Sequence, residues 1–194
     1  MIAYILTFSR LVLAAAVAVV VAMAARGGAL GTAVGVALLA MVLAEEATDL
    51  LDGYFARRQG TASELGGVLD PLADSLARLA IYFSFALAGW VSLAAPFAMT
   101  LRDLTVAYTR VANSAVGAKT GARRSGKIKA VVQGAAMPVV IVLAWGAPAW
   151  PPGAVAWGRW LVAAVVVGVS LWSMVDYLAG AWPAIRAIAR RRAT

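Results

Sequence analysis

From Ile2 to Ala25 the chain is apolar apart from a single charge, Arg10, and five further stretches of comparable length and character follow it. A helix needs about 20 apolar residues to cross the hydrocarbon core of a bilayer. That ruler divides the 194 residues into six spans, at about 2–25, 29–51, 69–91, 95–116, 128–145 and 157–181. Backbone in lipid must satisfy its own N–H and C=O groups, and a helix does so within one segment. The fold class predicted is an all-α integral membrane protein with six transmembrane helices, residues 1–194 forming one membrane domain with a basic tail over 183–194. Composition agrees: 63% of residues are hydrophobic, mean hydropathy is +0.85 and only 13% are charged, against about 25% in soluble domains. Ala22-Met23-Ala24 has the small-x-small pattern of a signal-peptide cleavage site, but Arg10 alone makes a poor n-region and the segment is read as a first span. Pro96, Pro148, Pro151, Pro152 and Pro183 fall near proposed helix ends, where proline is tolerated.

Basic residues orient the spans, because Lys- and Arg-rich loops stay in the cytoplasm. Eleven Lys and Arg residues lie in the loops after spans two and four and in the tail, against Arg26 and Arg159 on the other side. Both termini are therefore expected in the cytoplasm, as in a bacterial inner membrane. Trp90, Trp145, Trp150, Trp157 and Trp160 gather at the opposite interface as an aromatic belt. The net charge of +8 suits anionic lipid headgroups, and no soluble domain offers a surface for nucleic acid.

Seven of the nine acidic residues fall between Glu45 and Asp74. On a helix, Asp49 and Asp52 are three apart and Asp70 and Asp74 four apart, so each pair shares a face. Four aspartates in apolar spans repel one another and are costly to bury, so positive charge must sit among them. Pairing with Arg57, Arg58 and Arg78 is one solution. The other is a hard cation such as magnesium, manganese or calcium, since neither His nor Cys is present to supply softer ligands. Two dications would balance the four carboxylates in formal charge, and paired metals serve in-line phosphoryl displacement.

The same residues read D-x-x-D-G-x-x-A-R, eight residues, then G-x-x-x-D-x-x-x-D, with Asp49, Asp52, Gly53, Ala56, Arg57, Gly66, Asp70 and Asp74 at the specified positions. This resembles the signature of the CDP-alcohol phosphotransferase family, whose six-span architecture agrees with the spans above. The resemblance implies that Asp49, Asp52, Asp70 and Asp74 ligate two divalent ions, Mg2+ or Mn2+. It makes Asp74 the candidate general base as well, and assigns Gly53, Arg57 and Gly66 to the CDP moiety. The implied reaction moves a phosphatidyl group from CDP-diacylglycerol to a small alcohol and releases CMP at the cytoplasmic face of the bilayer.

Span four is polar for a membrane helix. Asp103, Arg110 and Ser114 fall on one line and Arg102 aligns with Asn113, a seam expected to face the bundle interior, with an internal Asp103–Arg110 pair as its plainest purpose. The following "RRSGKIKAVVQG" adds Lys127, Lys129 and Gln133, which also serve as topology-setting charge. Together these segments resemble the phosphatidylglycerophosphate synthase branch of the family, with Asp103 where that branch has Glu and Ala130 where it has Thr. Arg102, Arg110, Lys127 and Lys129 are the expected site for the phosphate of a phosphorylated alcohol, glycerol 3-phosphate first and an inositol or other polyol phosphate second. Inositol or serine as a free acceptor, and a divalent-cation transporter built on the same carboxylates, are the competing readings; no internal repeat supports a transporter. Gly27, Gly31 and Gly35 form a small-residue stripe suited to packing within the chain or in a homodimer. The sequence "IRAIARRRAT" reads as an interfacial basic anchor.

Overall fold

The computed structural model describes the backbone over residues 2–28, 30–59, 66–118, 121 and 123–191, and the side chains over 9–28, 30–48, 71–118, 121 and 123–190. Six helices account for nearly all of it: α1 (Ile2–Arg26), α2 (Thr32–Gln59), α3 (Gly66–Leu87), α4 (Ala94–Ala115), α5 (Arg124–Gly146) and α6 (Pro152–Arg191). Each coincides with one expected span. Three of them, α1, α5 and α6, are long and apolar enough over their described residues to cross a membrane. α4, the least apolar of the six, carries Arg102, Asp103 and Arg110.

The molecule is apolar outside and charged within, the reverse of a soluble protein. Val12, Phe97, Val131 and Trp157 are each more than 60% exposed, whereas Arg10, Glu45, Arg78, Arg102 and Lys129 are all below 9%. The principal packing partners are α1 with α3, α4 with α6 and α5 with α6, and α2 leans on both α1 and α5. Val17, Val21, Leu38, Val42, Ile81, Phe85, Met137 and Ile141 interlock at the centre. Gly35 of α2 lies flat on the Trp145 ring, where a Cβ would stand 3.0 Å from Cδ2. That contact is within the chain; Gly27 and Gly31 lie in the α1–α2 connection and do not continue a helical stripe.

Two helix ends are set by glycine. Gly89 (φ 71°) and Gly117 (φ 70°) adopt the left-handed conformation after α3 and α4. The Trp90 N–H returns to the Phe85 carbonyl and the Ala118 N–H to Asn113, the six-residue closure of a Schellman cap. Phe85 and Trp90 also stack, with ring centroids 5.8 Å apart, supplying the hydrophobic contact that accompanies such a cap. Trp90 and Trp145 are consequently drawn into the packing, and Trp150, Trp157 and Trp160 are left as the exposed belt.

The tail differs from expectation. α6 runs through Pro183 to Arg191, so Arg186, Arg190 and Arg191 continue the helix of the sixth span. Pro183 is thus interior. The Arg186 guanidinium sits 5.1 Å from the Trp182 ring centroid one turn away, a cation–π contact favoured by helical i,i+4 spacing.

Candidate active site

α3, α4, α5 and α6 enclose a cavity of about 210 Å3. Asp74 contributes from α3, Arg102, Asp103 and Arg110 from α4, Lys127 and Lys129 from α5, and Tyr177 from α6. All four basic residues expected at an acceptor phosphate therefore line one space together with the expected base. Including Arg78, five cationic side chains and two carboxylates line it among the described residues. That excess of positive charge suits an anion.

The side chains of Asp49, Asp52, Gly53, Arg57, Gly66 and Asp70 lie outside the described residues. Their backbone is helical, in α2 for the first four and α3 for the last two, so the three- and four-residue spacings are helical spacings as expected. Asp74 is paired with Arg10 of α1, a partner 64 positions away. Arg78 bonds Glu46 of α2 at 2.9 Å. The Glu46 carboxylate lies directly over Gly134 of α5, where any Cβ would collide with it. As an oxygen donor on the cavity wall, in a chain lacking His and Cys, Asp74 fits a hard dication.

The expected Asp103–Arg110 pair is not formed among the described residues. Asp103 instead accepts from Arg102 Nη1 at 2.7 Å and Lys129 Nζ at 3.2 Å. A helix rotation decides this: Lys129, on the second turn of α5, is brought against α4 and is itself buried. Arg102 uses its remaining nitrogens on α6, donating from Nε and Nη2 to Ser173 Oγ at 3.2 and 3.0 Å. Its guanidinium also lies 5.1 Å from the Tyr177 ring centroid. Of the expected seam, Ser114 faces outward.

The contribution of α6 was missed by sequence reasoning. Ser170, Ser173 and Tyr177 recur at three and four residues, a polar line in an otherwise apolar helix, and that periodicity is the signal that would have found them. Below them a second cluster ties the start of α5 to α6. The Arg123 N–H donates to Tyr177 Oη at 3.0 Å, Arg123 Nε bonds Asp176 at 3.1 Å, and the Ser125 hydroxyl donates to the same carboxylate. Lys127 and Lys129 thereby project from an anchored helix start.

An all-helical bundle with apolar outer faces and a cationic, carboxylate-bearing cavity between its helices defines an integral membrane protein built to handle an anionic substrate. A family model for CDP-alcohol phosphatidyltransferase matches residues 1–172. The chain belongs to that family and is a phosphatidyltransferase. Three bacterial relatives carry the name CDP-diacylglycerol–glycerol-3-phosphate 3-phosphatidyltransferase. That of Treponema pallidum (strain Nichols) is 28% identical over 83% of this chain and 77% of its own length. The Pseudomonas fluorescens protein is 31% identical over 75% and 74%, and that of Shigella flexneri serotype 5b (strain 8401) 32% over 69% and 72%. Nothing in these likenesses favours a cation transporter.

Proposed function

We propose that this protein transfers the phosphatidyl group of CDP-diacylglycerol to glycerol 3-phosphate. The observation that carries the reading is the single cavity lined by Asp74 and by Arg102, Arg110, Lys127 and Lys129. The names of the relatives support the same acceptor.

In this reading Arg110 and Lys127 receive the acceptor's phosphate together with Arg102 and Lys129, whose shared Asp103 leaves them a surplus of charge. The acceptor's free hydroxyl is then directed toward Asp74. Asp74 accepts its proton as the oxygen attacks the phosphorus that bears the diacylglycerol. The bond from that phosphorus to the CMP oxygen breaks and CMP leaves. Asp49, Asp52, Asp70 and Asp74 would hold two Mg2+ or Mn2+ ions, which when bound supply neutralisation of the pyrophosphate and of the departing CMP. Gly53, Arg57 and Gly66 contact the CDP moiety. Six spans with both termini in the cytoplasm would set the reaction at the inner face of a bacterial cytoplasmic membrane, consistent with the bias of basic residues.

The test is to give the purified protein CDP-diacylglycerol with a panel of phosphorylated and free alcohols and identify the lipid product by mass. Phosphatidylglycerophosphate is expected; preference for serine or free inositol would overturn the acceptor while leaving the family assignment intact.

A further inference from the structure

Gln133 stands on α5 one turn beyond Lys129, is fully buried, and lines the same cavity. Two neighbours hold it. The Tyr82 hydroxyl donates to its main-chain carbonyl at 2.7 Å, fastening this turn of α5 to α3. Its side-chain Nε2 donates to Ser170 Oγ of α6 at 2.9 Å. Ser170 in turn donates to the Val166 carbonyl at 2.6 Å. A serine hydroxyl has one proton, so toward Gln133 the Ser170 oxygen can only accept. Turning the amide over would set two acceptor oxygens face to face. With the Ser170 proton on the Val166 carbonyl, Nε2 takes the serine oxygen and Oε1 is the atom left without a hydrogen-bond partner.

A buried amide oxygen without a donor is unfavourable and calls for one. Arg102 does not supply it: the hydrogen bonds it makes within the protein go to Asp103 and Ser173, and Oε1 has none. We propose that Gln133 determines acceptor specificity by reading a hydroxyl. Its Oε1 accepts a hydrogen bond from an acceptor hydroxyl other than the nucleophile, so the cavity selects a polyol phosphate over an alkyl phosphate that carries the nucleophilic hydroxyl alone. In glycerol 3-phosphate this is the hydroxyl of the middle carbon. The inference rests on the proposed phosphorylated acceptor.

The probe is 3-hydroxypropyl phosphate, which keeps the phosphate and the attacking hydroxyl and lacks only the middle one. The wild-type protein in detergent should prefer glycerol 3-phosphate by at least about 50-fold in kcat/KM, because a site built around a hydrogen bond rejects a ligand lacking it. Gln133→Met, similar in volume and without the amide, should reduce that preference to within about fivefold. The loss should fall on glycerol 3-phosphate, with 3-hydroxypropyl phosphate turnover and the KM for CDP-diacylglycerol little changed. Ser170→Ala keeps Oε1 but frees the amide to turn, and should reduce the preference partially; this variant decides the matter if Gln133→Met does not fold. Equal wild-type use of both acceptors, an equal loss on both in Gln133→Met, or an unchanged preference in Ser170→Ala overturns the inference with the proposed function still standing. Failure of the wild-type protein to use either phosphate while turning over a free alcohol would remove both.

Discussion

Arg102 of α4 and Ser173 of α6 are joined by two hydrogen bonds, Nε and Nη2 both reaching Ser173 Oγ at 3.2 and 3.0 Å. The pair fixes the plane of the guanidinium at the cavity wall, since Nη1 is already held by Asp103. Ser173→Ala should therefore raise the KM for the phosphorylated acceptor about fivefold, the loss of roughly 1 kcal/mol of orienting hydrogen bonding. The KM for CDP-diacylglycerol should not move. Steady-state kinetics with each substrate varied in turn separates the two.

Asp103 lies between two buried cations, Arg102 and Lys129. Asp103→Asn leaves both without their carboxylate and should destabilise the fold by about 3 kcal/mol. Thermal unfolding in detergent should show the loss, and Asp103→Glu should recover part of it because the charge returns with a longer reach.

Gly126 opens the α5 side of the cavity. A Cβ there would stand 2.9 Å from Tyr177 Oη and 3.2 Å from Arg102 Nη2. Tyr177 cannot simply withdraw, because its hydroxyl oxygen accepts the Arg123 N–H. Gly126→Ala should displace Arg102, raising the acceptor KM about tenfold or more and costing about 1–3 kcal/mol of stability through overpacking. An acceptor KM unchanged from wild type would show that the wall yields elsewhere.

The four aspartates of the motif should each be indispensable. Asn at 49, 52, 70 or 74 removes one charge from the ligation of two dications, and turnover supported by Mg2+ or Mn2+ should collapse. If two or more of these variants stay within about threefold of wild type, the ligand assignment fails. Asp74→Asn should lower single-turnover rate more than CDP-lipid binding, since a base acts in the transition state; equal losses would make Asp74 chiefly a ligand.

Arg10 and Asp74 pair across α1 and α3. Arg10→Gln removes the charge that orients the proposed base and should lower kcat about tenfold, with Arg10→Lys restoring part of it. Rapid-quench measurement of the chemical step distinguishes this from a loss of folded protein.

Local composition was enough to locate all six helices, though α2 and α6 run eight and ten residues past the ends expected at 51 and 181, because each is a stretch of apolar side chains interrupted by Gly and Pro, and hydropathy is a property of the segment itself. Arg102, Arg110, Lys127 and Lys129, singled out by their place in span four and the basic segment after it, line one cavity with Asp74. Partner choice was a different matter. Whether Asp103 meets Arg110 or Lys129, that Arg78 reaches Glu46, and that Arg10 lies against Asp74 all depend on how each helix is rotated about its axis against its neighbours. That rotation is set by packing between distant segments, such as Gly35 on Trp145 and Glu46 over Gly134. Pro183 shows the limit at short range, for helix α6 continues through a residue that usually ends one. Sequence alone determined the helices and the kinds of chemistry they carry; the tertiary structure decided which of those groups face one another, because only packing brings side chains from separate helices within hydrogen-bonding distance.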